Sequence, residues 1–251
     1  MSLSQGARDY LLALADDEHV VGARHTAWIG LGPFLEEDLA FCSIAQDELG
    51  HAIALYELLL VDDGRSTDEL DSFALLRDPS EYRSCELAEM ACSDWNDSLV
   101  RHWLYDRAEQ LRWNALVDSS DERVAAIARR SLREESFHLS HAEQFMSRVA
   151  ASRPPQLLAS IERLIPIARR LWTPAGGESA ALAEGVATAS SERLAEAWEL
   201  AIRGDLTRWG LADVGQESVG DRGDRRLRSD GFDDLWRDLR KVIELDETAV
   251  W

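Results

Sequence analysis

Two Glu-x-x-His motifs are the residues of this sequence best suited to chemistry. One runs from Glu48 to His51 and the other from Glu135 to His138. Residues three apart lie on one face of an α-helix, so a glutamate and a histidine with this spacing can bind the same metal ion. One copy arises easily by chance. Two copies in long helical stretches match the di-iron carboxylate bundles, in which two other helices each add one carboxylate.

The bundle pattern predicts a carboxylate on the helix before each motif. Glu18 precedes Glu48 by 30 residues, and it lies on an apolar stripe with Leu11, Leu14 and Val21. A glutamate on such a stripe is costly to bury without a partner, and this favours a role as a metal ligand.

The second motif needs a carboxylate at a similar distance. The same spacing before Glu135 leads to position 105, where Asp106 is the nearest carboxylate and Glu109, one helical turn further, is the alternative. We therefore predict Asp106 as a ligand. We place His102, one turn earlier on the same face, together with Tyr105 and Glu109, around the site.

The predicted metal ligands combine carboxylate oxygens with imidazole nitrogens. They are Glu18, Glu48, His51, Asp106, Glu135 and His138. Such a set with open coordination positions favours two iron ions, with manganese as the other candidate, and redox or dioxygen chemistry over a closed structural zinc site. The other histidines, His19, His25, His102 and His141, have no matched partner and are interpreted as structural or surface residues, with a place beside the site as the alternative for His102.

The elements that must position these ligands are helices. Ala, Leu, Glu and Arg dominate, and strand-like runs are scarce, so the sequence predicts an all-α protein. The two motifs and their single carboxylates add that its core is a four-helix bundle. We expect a single domain, with the bundle over 4–152 and a C-terminal helical extension over 153–251. The predicted helices cover 4–28, 36–61, a short piece within 65–85, 86–117, 122–151, 156–171, 178–204 and 232–246, with a charged loop over 213–231.

Composition excludes several classes of protein. The chain has 251 residues, and its 27 lysines and arginines against 47 aspartates and glutamates give a net charge of −20. This charge repels phosphate, so neither nucleic acid nor an anionic membrane is an expected partner. There is no apolar run of about 18 residues, no signal-peptide core at the start and no CxxC among three cysteines. We expect a cytoplasmic protein with reduced thiols.

Further stretches carry a resemblance to a known family. They are 35–40 leading to 47–52, the hairpin from Asp97 through Asp121 to 137–139, and the segment 220–230 with Trp251. In these the chain resembles the ferritin-like subunits of bacterial phenylacetyl-CoA epoxidase, also called phenylacetate-CoA oxygenase, and most closely the structural, PaaC-type subunit. It departs from that type at 228–230, where Arg-Ser-Asp replaces a His-Thr-Glu-like segment.

The resemblance implies a ferritin-like four-helix bundle with additional C-terminal helices, an activity and a set of partners. In the family the catalytic subunit holds a di-iron site and the structural subunit has largely lost its ligands, whereas all six predicted ligands are present in this chain. The implied function is activation of dioxygen for oxygenation of an aromatic acyl-CoA. The implied partners are an external reductase, the acyl-CoA substrate, and either a homologous ferritin-like subunit or a second copy of the chain.

Two alternative functions stay open. The chain could be a non-catalytic structural subunit that scaffolds a catalytic homologue, with Trp198, Trp209 and Trp236 as exposed anchors of the interface. It could also be a ferritin-like oxidase of another substrate. Arginines at 129–130 and 222–228 are candidates for binding the CoA phosphates, although arginines on an acidic helical surface usually form solvated ion pairs.

Overall fold

The computed structural model describes residues 2–215 and 224–246, and this part of the chain contains helices and no strand. The fold class is therefore all-α, as predicted. The α-helices are α1 (Gln5–Thr26), α2 (Leu35–Asp62), α3 (Leu70–Leu75), α4 (Glu86–Glu89), α5 (Trp95–Asn114), α6 (Glu122–Ala150), α7 (Pro155–Arg169), α8 (Glu178–Ala183), α9 (Ser191–Arg208) and α10 (Phe232–Arg240). Short 3-10 helices lie at Thr67–Glu69, Pro79–Glu81, Arg170–Trp172 and Ile243–Leu245.

Side-chain caps determine where most of the long helices begin. Ser4, Asp94, Asp121 and Ser190 stand just before α1, α5, α6 and α9. Each side-chain oxygen accepts a backbone N–H from the first turn of its helix, which has no partner within the helix. The capping residues thus fix the starts of the two helices, α1 and α5, that carry single predicted carboxylate ligands.

The helix predicted over 86–117 is two helices in the structure. α4 ends at Glu89, and the next residue, Met90, is extended, with φ −60° and ψ 138°. Asp94 then starts α5 by accepting the backbone N–H of Asp97 at 3.0 Å. Short polar side chains that bond to the nearby backbone compete with helix continuation, and this local capping overrides the helical pattern of the sequence.

The helix predicted over 178–204 also divides. α8 ends at Ala183 and α9 begins at Ser191. Gly185 lies between them with φ +73°, a left-handed conformation that interrupts a helix and suits glycine. Ser190 then caps the new helix, which explains why the chain restarts there.

The last predicted helix, over 232–246, is shorter in the structure. It begins at Phe232 as α10, ends at Arg240, and is followed by a 3-10 turn. The predicted loop over 213–231 falls partly outside the described residues, as do the family-marker positions 220–223 and Trp251.

The described residues form two compact units. Unit 1 consists of residues 2–91, 175–181 and 224–246, and unit 2 of residues 92–174 and 182–215. The single domain, with a bundle over 4–152 and a separate extension, stays a prediction.

Unit 1 is built on the antiparallel pair of α1 and α2. Leu11 and Phe41 are fully buried between its elements. Gly22 lets the two helices approach closely, because a Cβ at this position would lie 3.0 Å from the Cβ of Glu48 and 3.1 Å from Leu49 Cγ. The close approach lies beside Glu48, so α1 and α2 are tightly packed at the level of this predicted ligand.

The C-terminal residues of unit 1 pack on the segment after α2. The ring of Phe232 contacts that of Tyr82 edge-on, with 5.4 Å between centroids. Trp236 donates its indole N–H to the Arg77 carbonyl at 3.2 Å, and the Arg240 guanidinium lies 4.2 Å from the Trp236 ring centre. The segment 224–246 is thus an integral part of this unit.

Unit 2 is built on the antiparallel pair of α5 and α6, with α7 and α9 packed against α5. Asp205 of α9 is buried, and it accepts the indole N–H of Trp103 at 2.9 Å and the Nε–H of Arg107 at 2.7 Å. These hydrogen bonds hold α9 against the buried face of α5, so α9 completes the core of the unit.

The expected exposure of the C-terminal tryptophans is wrong for two of the three. Trp198 is fully buried and donates its indole N–H to the Leu104 carbonyl at 3.0 Å. Trp209 is also buried, and its ring packs edge-on against Trp103 at 4.9 Å. Large aromatic side chains gain most from burial when their N–H finds a partner, and α5 supplies it. Trp236 is half-buried.

The described helices include none with the length and apolar character that a membrane span requires.

Candidate metal centre

The first half-site consists of Glu18 on α1 with Glu48 and His51 on α2. All three side chains are buried. His51 Nδ1 lies 3.2 Å from Glu18 Oε2 and 3.7 Å from Glu48 Oε2. One ligand atom from each residue lies within 4.8 Å of the others. Unit 1 therefore brings its three sequence-predicted ligands together.

Helical periodicity explains how α2 presents its two ligands. Glu48 lies on a buried apolar stripe of α2. The stripe includes Phe41 seven residues before it, Ile44 four residues before it and Leu55 seven residues after it. Burial of the stripe against α1 directs Glu48, and His51 one turn later, toward α1. The apolar residues that form the core of unit 1 also orient the ligands.

Two aspartates before Glu18 hold α1 in place. Asp16 accepts the Tyr56 hydroxyl at 2.7 Å and a bidentate contact from Arg77. Asp17 accepts Arg225 at 3.0 Å. Because consecutive residues project about 100° apart around a helix, these ion pairs on neighbouring faces fix the rotation of α1. The sequence interpretation missed them, although two consecutive acidic residues inside a buried helical stretch were a usable signal.

The second half-site consists of Asp106 and Glu109 on α5 with Glu135 and His138 on α6. All four side chains are buried. One carboxylate oxygen each of Asp106, Glu109 and Glu135 lies within 4.8 Å of the others. His138 Nδ1 lies 3.5 Å from Glu135 Oε1. Glu109, which we expected around the site, is therefore grouped with the carboxylates as closely as Asp106.

The half-sites repeat one local geometry. In each motif the histidine presents Nδ1 to the glutamate three residues earlier, at 3.7 Å for His51 and 3.5 Å for His138. Buried carboxylates this close together repel one another unless a cation or protons neutralise them. Carboxylate oxygen and imidazole nitrogen together suit iron or manganese, so the donor set of each half-site fits the metal that the resemblance implies.

His102 and His141 extend the second half-site toward the surface. His102 Nδ1 lies 3.0 Å from Asp106 Oδ2, and its Nε2 lies 3.2 Å from His141 Nδ1. His102 is fully buried, whereas His141 is partly exposed. His141 was interpreted from the sequence as lacking a matched partner, but it pairs with His102. Tyr105, also expected near the site, is a fully buried residue of α5.

The protonation of His51 is set by its two glutamates. Burial alone would lower the pKa of His51, but hydrogen bonds to Glu18 and Glu48 overcome this and raise it to about 11. In the metal-free protein the imidazole therefore holds a proton between the carboxylates at neutral pH. A metal ion binding through Nδ1 would displace that proton, so binding would release acid.

His19, the residue after Glu18 on α1, is expected to make the stability of the metal-free protein depend on pH. Burial is the main cause that lowers the pKa of His19, from 6.5 to about 4. The charge of Asp16 opposes this shift and the charge of Arg77 adds to it. Below pH 6.5 the unfolded chain binds a proton that the folded chain does not, so this histidine favours unfolding as the pH falls toward 4. The loss saturates at about 3 kcal/mol.

His19→Asn removes this titration while keeping a polar group. We expect the free energies of unfolding of metal-free parent and H19N to diverge between pH 6.5 and 4, with the parent losing more. Denaturant titrations at half-unit intervals measure this, with pH 7.5 as the baseline. Parallel curves across that window would contradict the assignment.

The arginine stretches considered for CoA phosphates already have partners. Arg129 pairs with Glu122, and Arg130 pairs with Glu134 at 3.1 Å, on the exposed face of α6. This agrees with the ion-pair interpretation. Arg225, as described above, binds Asp17, and Arg228 binds the buried Glu89. In the described part of the stretch 222–228, Arg225 and Arg228 therefore form ion pairs within unit 1.

The helix pairs and their buried carboxylate–histidine sets define an all-helical protein of the ferritin-like class. The chain belongs to the phenylacetic acid catabolic protein family, whose model matches residues 3–251. The C subunit of 1,2-phenylacetyl-CoA epoxidase from Escherichia coli (strain K12) is 30% identical to it over 142 residues. That match covers 56% of this chain and 56% of the relative, little more than half of each.

Proposed function

We propose that the protein binds two iron ions, with manganese as the other candidate, one at each half-site. Unit 1 would supply Glu18, Glu48 and His51. Unit 2 would supply Asp106, Glu135 and His138, with Glu109 as a further carboxylate. The observation that carries the proposal is that each unit gathers a buried set of carboxylates with a histidine from its motif. The order of these residues along the chain matches that of the ligands in di-iron carboxylate bundles.

The proposed activity is oxygenation of an aromatic acyl-CoA within a complex of the phenylacetyl-CoA epoxidase type, in the cytoplasm. Family membership and the name of the curated relative support the substrate class. When bound and reduced by an external reductase, the iron pair would supply electrons for activating dioxygen. A homologous subunit or a second copy of the chain is the proposed partner.

The residues of the chain have defined tasks in this proposal. The carboxylates offset the charge of the divalent ions, which makes a buried cluster of cations tolerable. The fully buried positions of Glu18, Glu48, Asp106 and Glu135 keep bulk water away from the ligands. His51 gives up its proton on metal binding and becomes a neutral nitrogen ligand.

A second candidate is a structural subunit that supports a catalytic homologue. The observation that favours it is the identity of 30% to a protein named as the C subunit of the epoxidase. In this case the half-sites would hold metal without turnover, or would remain empty.

Metal analysis followed by oxygen uptake separates the candidates. The protein is loaded anaerobically with ferrous iron, desalted and assayed for iron per chain, and then for oxygen consumption with a reductase, with and without phenylacetyl-CoA. Two irons and substrate-dependent uptake are expected. Two irons without substrate-dependent uptake by the chain alone, with uptake restored when a catalytic homologue is added, would favour the structural candidate. Oxygen uptake at the same rate with and without phenylacetyl-CoA would favour an oxidase of another substrate. Absence of bound iron would refute the metal proposal.

A further inference from the structure

The side of α2 that faces away from its buried stripe carries a second, exposed row of residues. Leu35, Leu39 and Ile53 in this row are exposed to 69%, 64% and 44%. The positions alternate by four and three residues, which is the a/d spacing by which one helix packs along another. We call the row the outer stripe, and it consists of Leu35, Leu39, Cys42, Gln46, Leu49 and Ile53.

The outer stripe belongs to the most apolar exposed region of the described chain. Seven of the twelve exposed large hydrophobic side chains among the described residues lie between positions 29 and 61. Leu31 and Phe34, in the turn that leads into α2, are exposed to 66% and 63%. Single exposed apolar residues are common on proteins, whereas a concentration of them marks a surface that binds another molecule.

The charges on α2 are all of one sign at neutral pH, apart from the buried His51. The helix contains no lysine or arginine. Its acidic residues are Glu36, Glu37, Asp38, Asp47, Glu48, Glu57 and Asp62. Glu36 and Glu57 are exposed near the two ends of the outer stripe. Charges beside an apolar row determine which helices can pair, so two copies of this face would bring carboxylates together without a cation on either side.

We propose that the outer stripe binds an apolar helix face of a different protein, which carries lysine or arginine beside its apolar positions. The spacing of the stripe fits a helix, and the acidic residues beside it select a basic partner. The net charge of −20 adds to the repulsion between two copies of the chain. The inference rests on the proposed function, because it selects a different subunit over a second copy as the partner.

The proposed docking face is separate from the metal ligands. At 100° per residue, the outer stripe is centred about 140° around α2 from Glu48. The stripe is about 27 Å long, which corresponds to five turns of a partner helix. Binding at this face and metal binding can therefore be measured independently on the same protein.

Two designed helical peptides of four heptads test the charge preference. Both carry leucine and isoleucine at the a and d positions, and the flanking e and g positions are lysine in one peptide and glutamate in the other. Like charges keep each peptide from pairing with itself. Fluorescence anisotropy of the labelled peptide measures its binding to the full chain. We expect the basic peptide to bind at least about tenfold more tightly, with a smaller difference at high salt.

Leu39→Gln and Leu200→Gln form a matched pair of variants. The two leucines are exposed to 64% and 75%, on α2 and α9 respectively. Glutamine retains helix propensity and adds no charge. L39Q should weaken binding of the basic peptide by about 10- to 100-fold, because a leucine is lost from the contact. L200Q should leave binding unchanged, and equal effects of the two changes would overturn the inference.

Glu57→Lys reverses one charge four residues after Ile53, on the same side of the helix. E57K should bind the basic peptide more weakly than the parent does and the acidic peptide more tightly. Failure of the basic peptide to bind, or a preference of the parent for the acidic peptide, would contradict the inference. Sedimentation of the chain alone tests the second copy. A dimer that L39Q dissociates and L200Q does not would show that a second copy occupies the face.

Iron per chain, measured on the same proteins, separates this inference from the metal proposal. L39Q should retain the iron content of the parent, because Leu39 is on the opposite side of α2 from Glu48. Peptide binding by a parent that holds no iron would refute the metal proposal and support the docking face. Two irons in a parent that does not bind the basic peptide would support the metal proposal and refute the docking face.

Discussion

Glu48→Gln is expected to reduce bound iron from two ions per chain to no more than one. The change keeps the shape of the side chain but replaces an anionic oxygen donor with a neutral amide. Glu48 lies in the first half-site with Glu18 and His51, whose ligand atoms lie within 4.8 Å of its own. With one carboxylate fewer, the half-site loses half of its negative charge and the bound cation is no longer neutralised locally. We expect affinity at this half-site to fall by about 100-fold or more, equivalent to about 3 kcal/mol.

The matched control is Glu57→Gln on the same helix. Glu57 is exposed, so the same chemical change alters surface charge without touching the half-site. Iron per chain after desalting and a cobalt titration provide the two measurements. E57Q should retain two ions with unchanged affinity. Two tightly bound ions in E48Q would show that Glu48 is not a ligand, and with it the assignment of the first half-site would fall.

The grouping of the three residues of the first half-site could be predicted from sequence because their signals are local. The Glu-x-x-His spacing and the apolar stripe around Glu18 both depend on the periodicity of one helix. The choice between Asp106 and Glu109 could not be made in this way. They lie one turn apart on the same face of α5, and either fits the spacing to Glu135. The structure groups both with Glu135, a result that depends on side-chain reach rather than on periodicity.

The arginine partners of the buried acidic residues on α1 and α4 could not be found from the sequence, for a different reason. Arg225 is 208 residues from its partner Asp17, and Arg228 is 139 residues from Glu89. No periodic pattern links positions that far apart. An arginine-rich stretch in an acidic protein has the pattern of a solvated surface, and only the packing of 224–231 against α1 and α4 reveals the buried ion pairs. The burial of Trp198 and Trp209 was missed for the same reason, because the residues that bury them belong to α5, far away in the sequence.

Arg77→Met is expected to destabilise the metal-free protein by about 3–5 kcal/mol, because it removes one partner of a buried ion pair. Arg77 binds Asp16 with both of its terminal nitrogens, at 2.5 and 3.2 Å, and its guanidinium lies 4.3 Å from the centre of the Tyr82 ring. Burial alone would lower the pKa of Arg77, but Asp16 raises it well above the ordinary value. Methionine fills most of the volume and leaves the Asp16 charge buried without its cation.

Arg65→Met provides the matched control for this experiment, since it separates charge burial from aromatic contact. Both arginines lie over the ring of Phe73, at 5.3 Å for Arg65 and 5.2 Å for Arg77, but Arg65 pairs with Glu69 on the exposed surface. R65M should therefore cost no more than about 0.5 kcal/mol in thermal or denaturant unfolding.

The double variant Asp16→Asn with Arg77→Met isolates the uncompensated charge. It should recover part of the loss, because a neutral amide can remain buried with the hydrogen bond from Tyr56. A cost for R77M as small as that for R65M would mean that Asp16 does not depend on Arg77. The rotation of α1, and with it the direction of Glu18, would then have to be fixed by Asp17 and Arg225 alone.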